Sequence, residues 1–124
     1  MLVEFQTQDG ICMLRLEGRF ATGRDTSYLH SKADELKESG CSKVLVDLSG
    51  VDYIDSTGIG FLIGIYSSVL KLPDGRFGLA NLNRRVMEVM QLTRLAEVIP
   101  IYPDKATALA ALQSGGKSAA SRAR

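Results

Sequence analysis

The sequence has little of what catalytic and metal sites are built from. Its 124 residues include one His, two Cys and no Trp. All-protein zinc sites usually take four ligands from Cys and His, so this supply argues against one. The single His30 lies between Leu29 and Ser31 on a predicted helix, and no Ser-His-Asp or Cys-His arrangement is supported. Neither Cys12 nor Cys41 belongs to a CxxC motif. Both are read as small buried hydrophobes in a reducing compartment. An excess of one charge sign is also missing: 15 Lys and Arg against 14 Asp and Glu give a net charge of +1. A dedicated nucleic-acid binder should carry a cationic face, so no nucleic-acid partner is expected.

Long hydrophobic runs are absent too. The most apolar segment, Ile59 to Leu72, is broken by Tyr66-Ser67-Ser68. It falls short of the roughly 18 apolar residues that a membrane span needs. The beginning, MLVEFQTQDG, has acidic and polar residues where a signal peptide has a basic start and an apolar stretch. The expectation is a cytoplasmic protein with no membrane partner. A GxxxxGK[ST] phosphate loop is lacking, and Gly58, Gly60 and Gly64 do not have GxGxxG spacing. Arg84-Arg85 reads as a solvated pair on a helix. No cofactor is expected.

What is present is a globular composition, with 45% hydrophobic and 23% charged residues. The length fits one domain. Val3 and Phe5 alternate with polar residues as in a strand, Asp9-Gly10 is a hairpin turn signal, and Ile11 to Glu17 gives a second strand. Its start is apolar on both parities, which implies burial on both faces. Gly18 to Arg24 reads as a loop, and Asp25 as the N-cap of a helix to about Ser39, with Leu29, Ala33 and Leu36 on one stripe. Gly40 suits the C′ position. Val44 to Leu48 is a short central strand followed by a loop, Ser49 to Asp55.

A second helix should begin at Ser56 and be buried on more than one side. Gly60 and Gly64 are read as points of close approach to a sheet. Pro73-Asp74-Gly75 is a turn. Arg76 to Ala80 is a fourth strand, Asn83 caps a short helix, Val98 to Ile101 is a fifth strand, and Asp104 caps a last helix. The expected fold is α/β: a mixed, mostly parallel five-stranded sheet with four helices, in a single domain over residues 1–113. Residues 114–124 read as a disordered tail.

One segment stands out, Val46-Asp47-Leu48-Ser49-Gly50-Val51-Asp52-Tyr53-Ile54-Asp55-Ser56-Thr57-Gly58-Ile59-Gly60. A strand ends, the chain turns, and a hydroxyl residue begins an apolar helix. Two readings of Ser56 are open. It can be an N-cap, worth about 1 kcal/mol, with Asp55 adding negative charge near the positive helix end. It can equally be a modification site, because a phosphate there would add about −1.5 to −2 charge at one point. The helix amides could hold that phosphate without unfolding the domain.

The stretch Val44 to Gly60 resembles the signature of STAS domains, as found in bacterial anti-sigma-factor antagonists. Asn81-Leu82 through Leu92-Thr93 and Val98-Ile99-Pro100-Ile101-Tyr102 are similar to that family's later helix and strand. The resemblance implies a STAS-like fold and a partner-switching protein that is not an enzyme. It implies that the unphosphorylated chain binds an anti-sigma factor that is also a serine kinase, and so releases a sigma factor. It also implies a serine phosphatase as a further partner. Carried over, Ser56 is the phosphorylation site. Asp55, Ser56, Thr57, Gly58, Ile59 and Gly60, with Phe20, Ala21 and Thr22 of the flanking loop, form the partner surface. Gly58 and Gly60 would keep the helix start open to a partner backbone.

The sequence departs from the family where Gly18-Arg19-Phe20 is followed by Ala21 rather than the usual Asp. That departure leaves a second reading, a STAS binding module of a transport or signalling assembly without phosphorylation. The glycines at a helix start leave a third, a nucleotide-binding or enzymatic domain.

Overall fold

A computed structural model describes residues 2–21 and 26–113. Strands β1 (Leu2–Gln8) and β2 (Ile11–Phe20) are followed by helix α1 (Thr26–Ser39) and strand β3 (Lys43–Ile54). Then come α2 (Ser56–Leu70), β4 (Arg76–Ala80), α3 (Arg84–Leu92), a 3-10 turn at Leu95–Glu97, β5 (Ile101–Tyr102) and α4 (Lys105–Gln113). The strands form one five-stranded sheet in the order β1-β2-β3-β4-β5. β1 and β2 pair antiparallel, with Gln8 opposite Ile11 across the turn. Asp9 and Gly10 take φ of 54° and 80°, the positive values a two-residue hairpin requires. The other pairings, β2 with β3, β3 with β4 and β4 with β5, are parallel. The mixed, mostly parallel sheet with four helices is the expected fold.

The strand alternation sorts the core into two layers. Cys12, Leu14 and Leu16 of β2 and Val44, Val46 and Leu48 of β3 face the cluster that also holds Leu29, Leu36, Phe61, Leu62, Ile65, Val69, Val86 and Met90. Helices α1, α2 and α3 therefore cover one face. Ile11, Met13 and Leu45 point the other way, against Ala108 and Leu112 of α4. The start of β2 is thus buried on both faces, as its sequence implies.

Several boundaries differ from the sequence expectation. β2 continues through Gly18 to Phe20 and β3 through the expected loop to Ile54. The reason is the backbone ladder. After register shifts between Arg15 and Glu17 and between Gly18 and Arg19, pairing resumes with Phe20 opposite Ile54. Gly50 permits the shift, because a Cβ there would lie 2.9 Å from the Leu16 carbonyl oxygen and 2.8 Å from Glu17 Cγ. β5 is shorter than expected and starts at Ile101, since Val98 follows the 3-10 turn and its N–H bonds back to the Leu95 carbonyl.

Helix α2 buries one face only: Ile63 and Leu70 remain 38% and 48% exposed. Gly60 and Gly64 do not approach the sheet. A Cβ on either would meet nothing within 4 Å. Cys12 and Cys41, expected to be separate, are joined in a disulfide with Cα atoms 6.2 Å apart. The Asn83 and Asp104 caps form as expected, accepting from the Val86 and Thr107 amides. The Asp25 cap and the tail at 114–124 lie outside the described residues.

The Gly50 contact generates a test. Gly50→Ala should lower unfolding free energy by about 1–3 kcal/mol, since the carbonyl it meets belongs to backbone and must shift. A chemical-denaturation midpoint equal to that of the parent protein would contradict this account.

Candidate functional site

The strand extension decides how α2 begins. With β3 running to Ile54, the next residue leaves the ladder still extended, and Asp55 has φ −130° and ψ −160°. Its backbone N–H donates to the Phe20 carbonyl at 3.0 Å, tying the end of β2 to the start of the helix. Its Oδ1 accepts from the Thr57 amide at 2.8 Å, and its carbonyl accepts from the Ile59 amide at 2.9 Å. Asp55 is therefore the N-cap, and Ser56 is the first helical residue. The expectation that Ser56 caps is wrong by one position, because both residue types can cap and the ladder leaves Asp55 in the extended conformation that a cap needs.

The residues of this helix start divide by exposure. Ser56 and Gly60 are exposed, and Asp55, Thr57, Ile59 and Ala21 are half-buried. Gly58 points inward: a Cβ there would lie 2.5 Å from Ile54 Cγ1 and 2.9 Å from the Phe20 carbonyl oxygen. Phe20 is fully buried, its ring 6.4 Å from that of Phe61. Neither Phe20 nor Gly58 can present a side chain to a partner; they seat the helix against the sheet. Thr22 lies outside the described residues. The structure thus brings Asp55, Ser56, Thr57, Ile59, Gly60 and Ala21 to one end of the sheet.

A groove of about 470 Å³ opens beside Ser56 between α1 and α2. Thr26, His30 and Lys37 line its α1 wall, and Ser56, Gly60 and Gly64 its α2 wall. The two glycines keep this groove open. No carboxylate lines it among the described residues, and His30 is exposed at its edge. The groove joins α1 to the Ser56 surface, which the sequence signal did not reveal.

A polar network supports the strand that carries the site. Asp47 is only 9% exposed. Burial pushes its carboxyl up, but the Ser49 amide, the Asn81 side chain and the charge of Arg15 outweigh this and hold it below its ordinary value. The Ser49 N–H and Asn81 Nδ2 each donate to Asp47 Oδ1 at 3.0 Å. Asn81 has φ 63°, a left-handed value that Asn tolerates. Asn83 Nδ2 donates to the Val51 carbonyl at 2.9 Å while Oδ1 caps α3. These bonds pin the second half of β3, and so the position of Asp55. A lone acid inside the VLVDL strand was the available signal, since a buried carboxylate requires donors.

Among the described residues there is no group of three or more His, Cys, Asp or Glu placed to hold a metal, and no helix long and apolar enough to cross a membrane.

Known proteins match this architecture. The STAS domain family matches residues 3–108. The anti-sigma F factor antagonist of Paenibacillus polymyxa is 21% identical over 111 residues, covering 90% of this chain and 94% of that protein. The crystal structure of an anti-sigma factor antagonist from Mycobacterium paratuberculosis superposes with a TM-score of 0.79 at 23% identity, over 90% of this chain and 93% of that one. The Bacillus cell fate determinant SpoIIAA in its phosphorylated form gives a TM-score of 0.62 at 16% identity, over 82% of this chain and 92% of that one.

Two tests follow from the geometry. Asp55→Ala should cost about 1 kcal/mol of stability through loss of the cap, whereas Ser56→Ala should change it by less than about 0.5 kcal/mol. Equal losses in thermal unfolding would overturn the assignment of the cap. Asp47 gives the second. Its folded carboxyl lies below the ordinary 3.8. The stabilisation is therefore present above pH 3.8 and is lost as pH falls through the lower folded value. Asp47→Asn should be less stable than the parent at neutral pH, and the gap should close in acid. A pH-independent gap in denaturation would contradict the network.

Proposed function

Because the chain belongs to the STAS domain family, we propose that it is an anti-sigma-factor antagonist that switches partners through reversible phosphorylation of Ser56. In its unmodified form it binds an anti-sigma factor that is also a serine kinase, and the sigma factor is released. The kinase then uses ATP: Ser56 Oγ attacks the γ-phosphorus, ADP leaves, and the hydroxyl proton passes to the kinase or solvent. A serine phosphatase hydrolyses the ester and restores the binding form. The chemistry belongs to the partners, and this chain supplies the acceptor hydroxyl.

The observation that carries the reading is the exposure of Ser56 as the first helical residue, directly after a cap made by another side chain. Modifying Ser56 removes no cap, so the fold can persist in both states. A phosphate at that point meets the positive end of the helix, which favours anions. A partner packed against Ser56, Thr57, Ile59 and Gly60 would instead have to desolvate a dianion beside Asp55. The relatives support the same reading. One is named an anti-sigma F factor antagonist, and a protein of the same fold is known in a phosphorylated form.

Ala21 favours a second reading, because the family's usual acid is missing beside this surface. In that case the domain binds a transport or signalling partner whatever the state of Ser56.

Titration against the cognate anti-sigma factor distinguishes the two. Ser56→Asp should weaken binding by roughly 100-fold, a loss of about 3 kcal/mol, while the thermal midpoint moves little. Kinase and ATP should place a single phosphate on the peptide bearing Ser56, read by mass spectrometry. Binding that is indifferent to both Ser56→Asp and Ser56→Ala, with an active kinase transferring nothing, would leave the second reading standing.

A further inference from the structure

The Cys12–Cys41 pair sits where it can act on the groove beside Ser56. Cys12 is 9% exposed at the start of β2, and half-buried Cys41 follows the end of α1. The bond spans a sequence separation of 29 that contains all of α1. Their Cα separation of 6.2 Å lies in the range from which a disulfide forms without backbone movement. Both cysteines line one surface depression of about 390 Å³, together with Phe5, Leu36 and Ser39. A small thiol reagent can therefore enter beside both residues, with Cys41 the more exposed of the two. Cys41 also lines a smaller cavity between α1 and α2, and two of that cavity's lining residues, Ala33 and Lys37, line the groove beside Ser56 as well. One wall of the Ser56 groove is thus the helix whose far end the bond anchors.

We propose that Cys12 and Cys41 form a reversible thiol–disulfide couple that fastens the C-terminal end of α1 to β2 and thereby sets the groove beside Ser56 according to oxidant level. The co-reactant is a low-molecular-weight disulfide. The Cys41 thiolate, the more accessible of the two, attacks one sulfur of that reagent and expels one thiolate. The Cys12 thiolate then attacks Cys41 Sγ of the mixed disulfide and expels the second. Two protein thiols are oxidised and one reagent disulfide is reduced to two thiols, with two protons balancing the charges. Excess reagent thiol runs both steps backward. In a reducing compartment a disulfide of this kind is usually transient and catalytic or redox-sensing. The geometry does not depend on phosphorylation of Ser56, so the two ideas fail separately.

The test equilibrates the full chain in oxidised or reduced glutathione, traps free thiols by alkylation, and maps peptides by mass spectrometry. A linked Cys12–Cys41 peptide is expected in the oxidised buffer and two alkylated cysteines in the reduced one, each convertible to the other without unfolding. Reduction should lower the thermal midpoint by roughly 10 °C, given the loop closed. Amide hydrogen exchange in α1 should quicken on the order of tenfold. Cys41→Ser, chosen because it is the less buried position, should behave in both buffers like the reduced parent. No linked peptide under oxidising conditions would overturn the proposal. A link that survives reduced glutathione in the folded protein, or α1 exchange identical in the two states, would overturn it too.

Discussion

The hydrogen bond from the Asp55 amide to the Phe20 carbonyl, 3.0 Å long, is the joint on which the start of α2 turns. It closes the parallel ladder between β2 and β3 at the point where the chain leaves the sheet. Everything that aims α2 meets there. Gly58 lets the helix come down onto Phe20, since any side chain would collide with it. Phe20 in turn packs toward Phe61 one turn further on. Because these contacts are buried, the exposed part of the helix start has only small groups to show: the Ser56 hydroxyl and the Gly60 backbone. A rigid seat beneath and a small-residue face above are two consequences of one packing constraint.

The elements legible in the sequence are those whose pattern is local. The Asp9-Gly10 turn, the double-parity run Ile11 to Leu14, the Val44 to Leu48 strand and the Asn83 cap each rest on a few neighbouring residues, and each is found where it was read. The misread elements depend on a partner distant in sequence. Ser49 to Asp55 contains Gly, Ser and Asp, which locally signal a loop. Its residues up to Ile54 become strand because β2 offers ladder bonds as far as Phe20 and Gly50 lets the register slip. Once that extension is known, the cap must move from Ser56 to Asp55. Gly60 and Gly64 likewise have helical spacing that fits either a sheet contact or an open groove, and only the placement of α1 decides. The Cys12–Cys41 pairing could not be read at all, since nothing in the spacing brings β2 and the α1–β3 connection together.

The Asp47 network explains why the extended strand holds its shape. A carboxylate in the middle of an apolar strand would be costly without donors. Here it gathers the Ser49 amide and the Asn81 side chain. It thereby links β3 to the chain that follows β4, just before α3. Asn83 repeats the device one step on, with its amide on Val51 and its oxygen on the α3 amide. Two polar side chains thus stitch the exit of β4 to the middle of β3, the strand that Asp55 directly follows. The site is supported from both flanks, by β2 on one side and by these residues on the other.

The net charge of +1 constrains how the proposed phosphorylation of this surface would act. A phosphate of about −1.5 to −2 charge would bring the total to between about −0.5 and −1. So small a change in the whole-molecule field steers no partner from a distance, particularly as exposed charges are screened beyond about 10 Å in 0.1 M salt. The effect must act within contact range. There the same group has two opposite environments. In the free chain the positive helix end and water would stabilise it. Under a partner the water would be lost, while Asp55 would stay beside it as a like charge. The difference between those two states, rather than the charge itself, is what could separate a binding form from a non-binding one. It requires the added group to sit at a rigid helix start with its neighbours unchanged. The seat formed by Phe20, Gly58 and the Asp55 cap supplies that rigidity, because none of these contacts involves the Ser56 side chain.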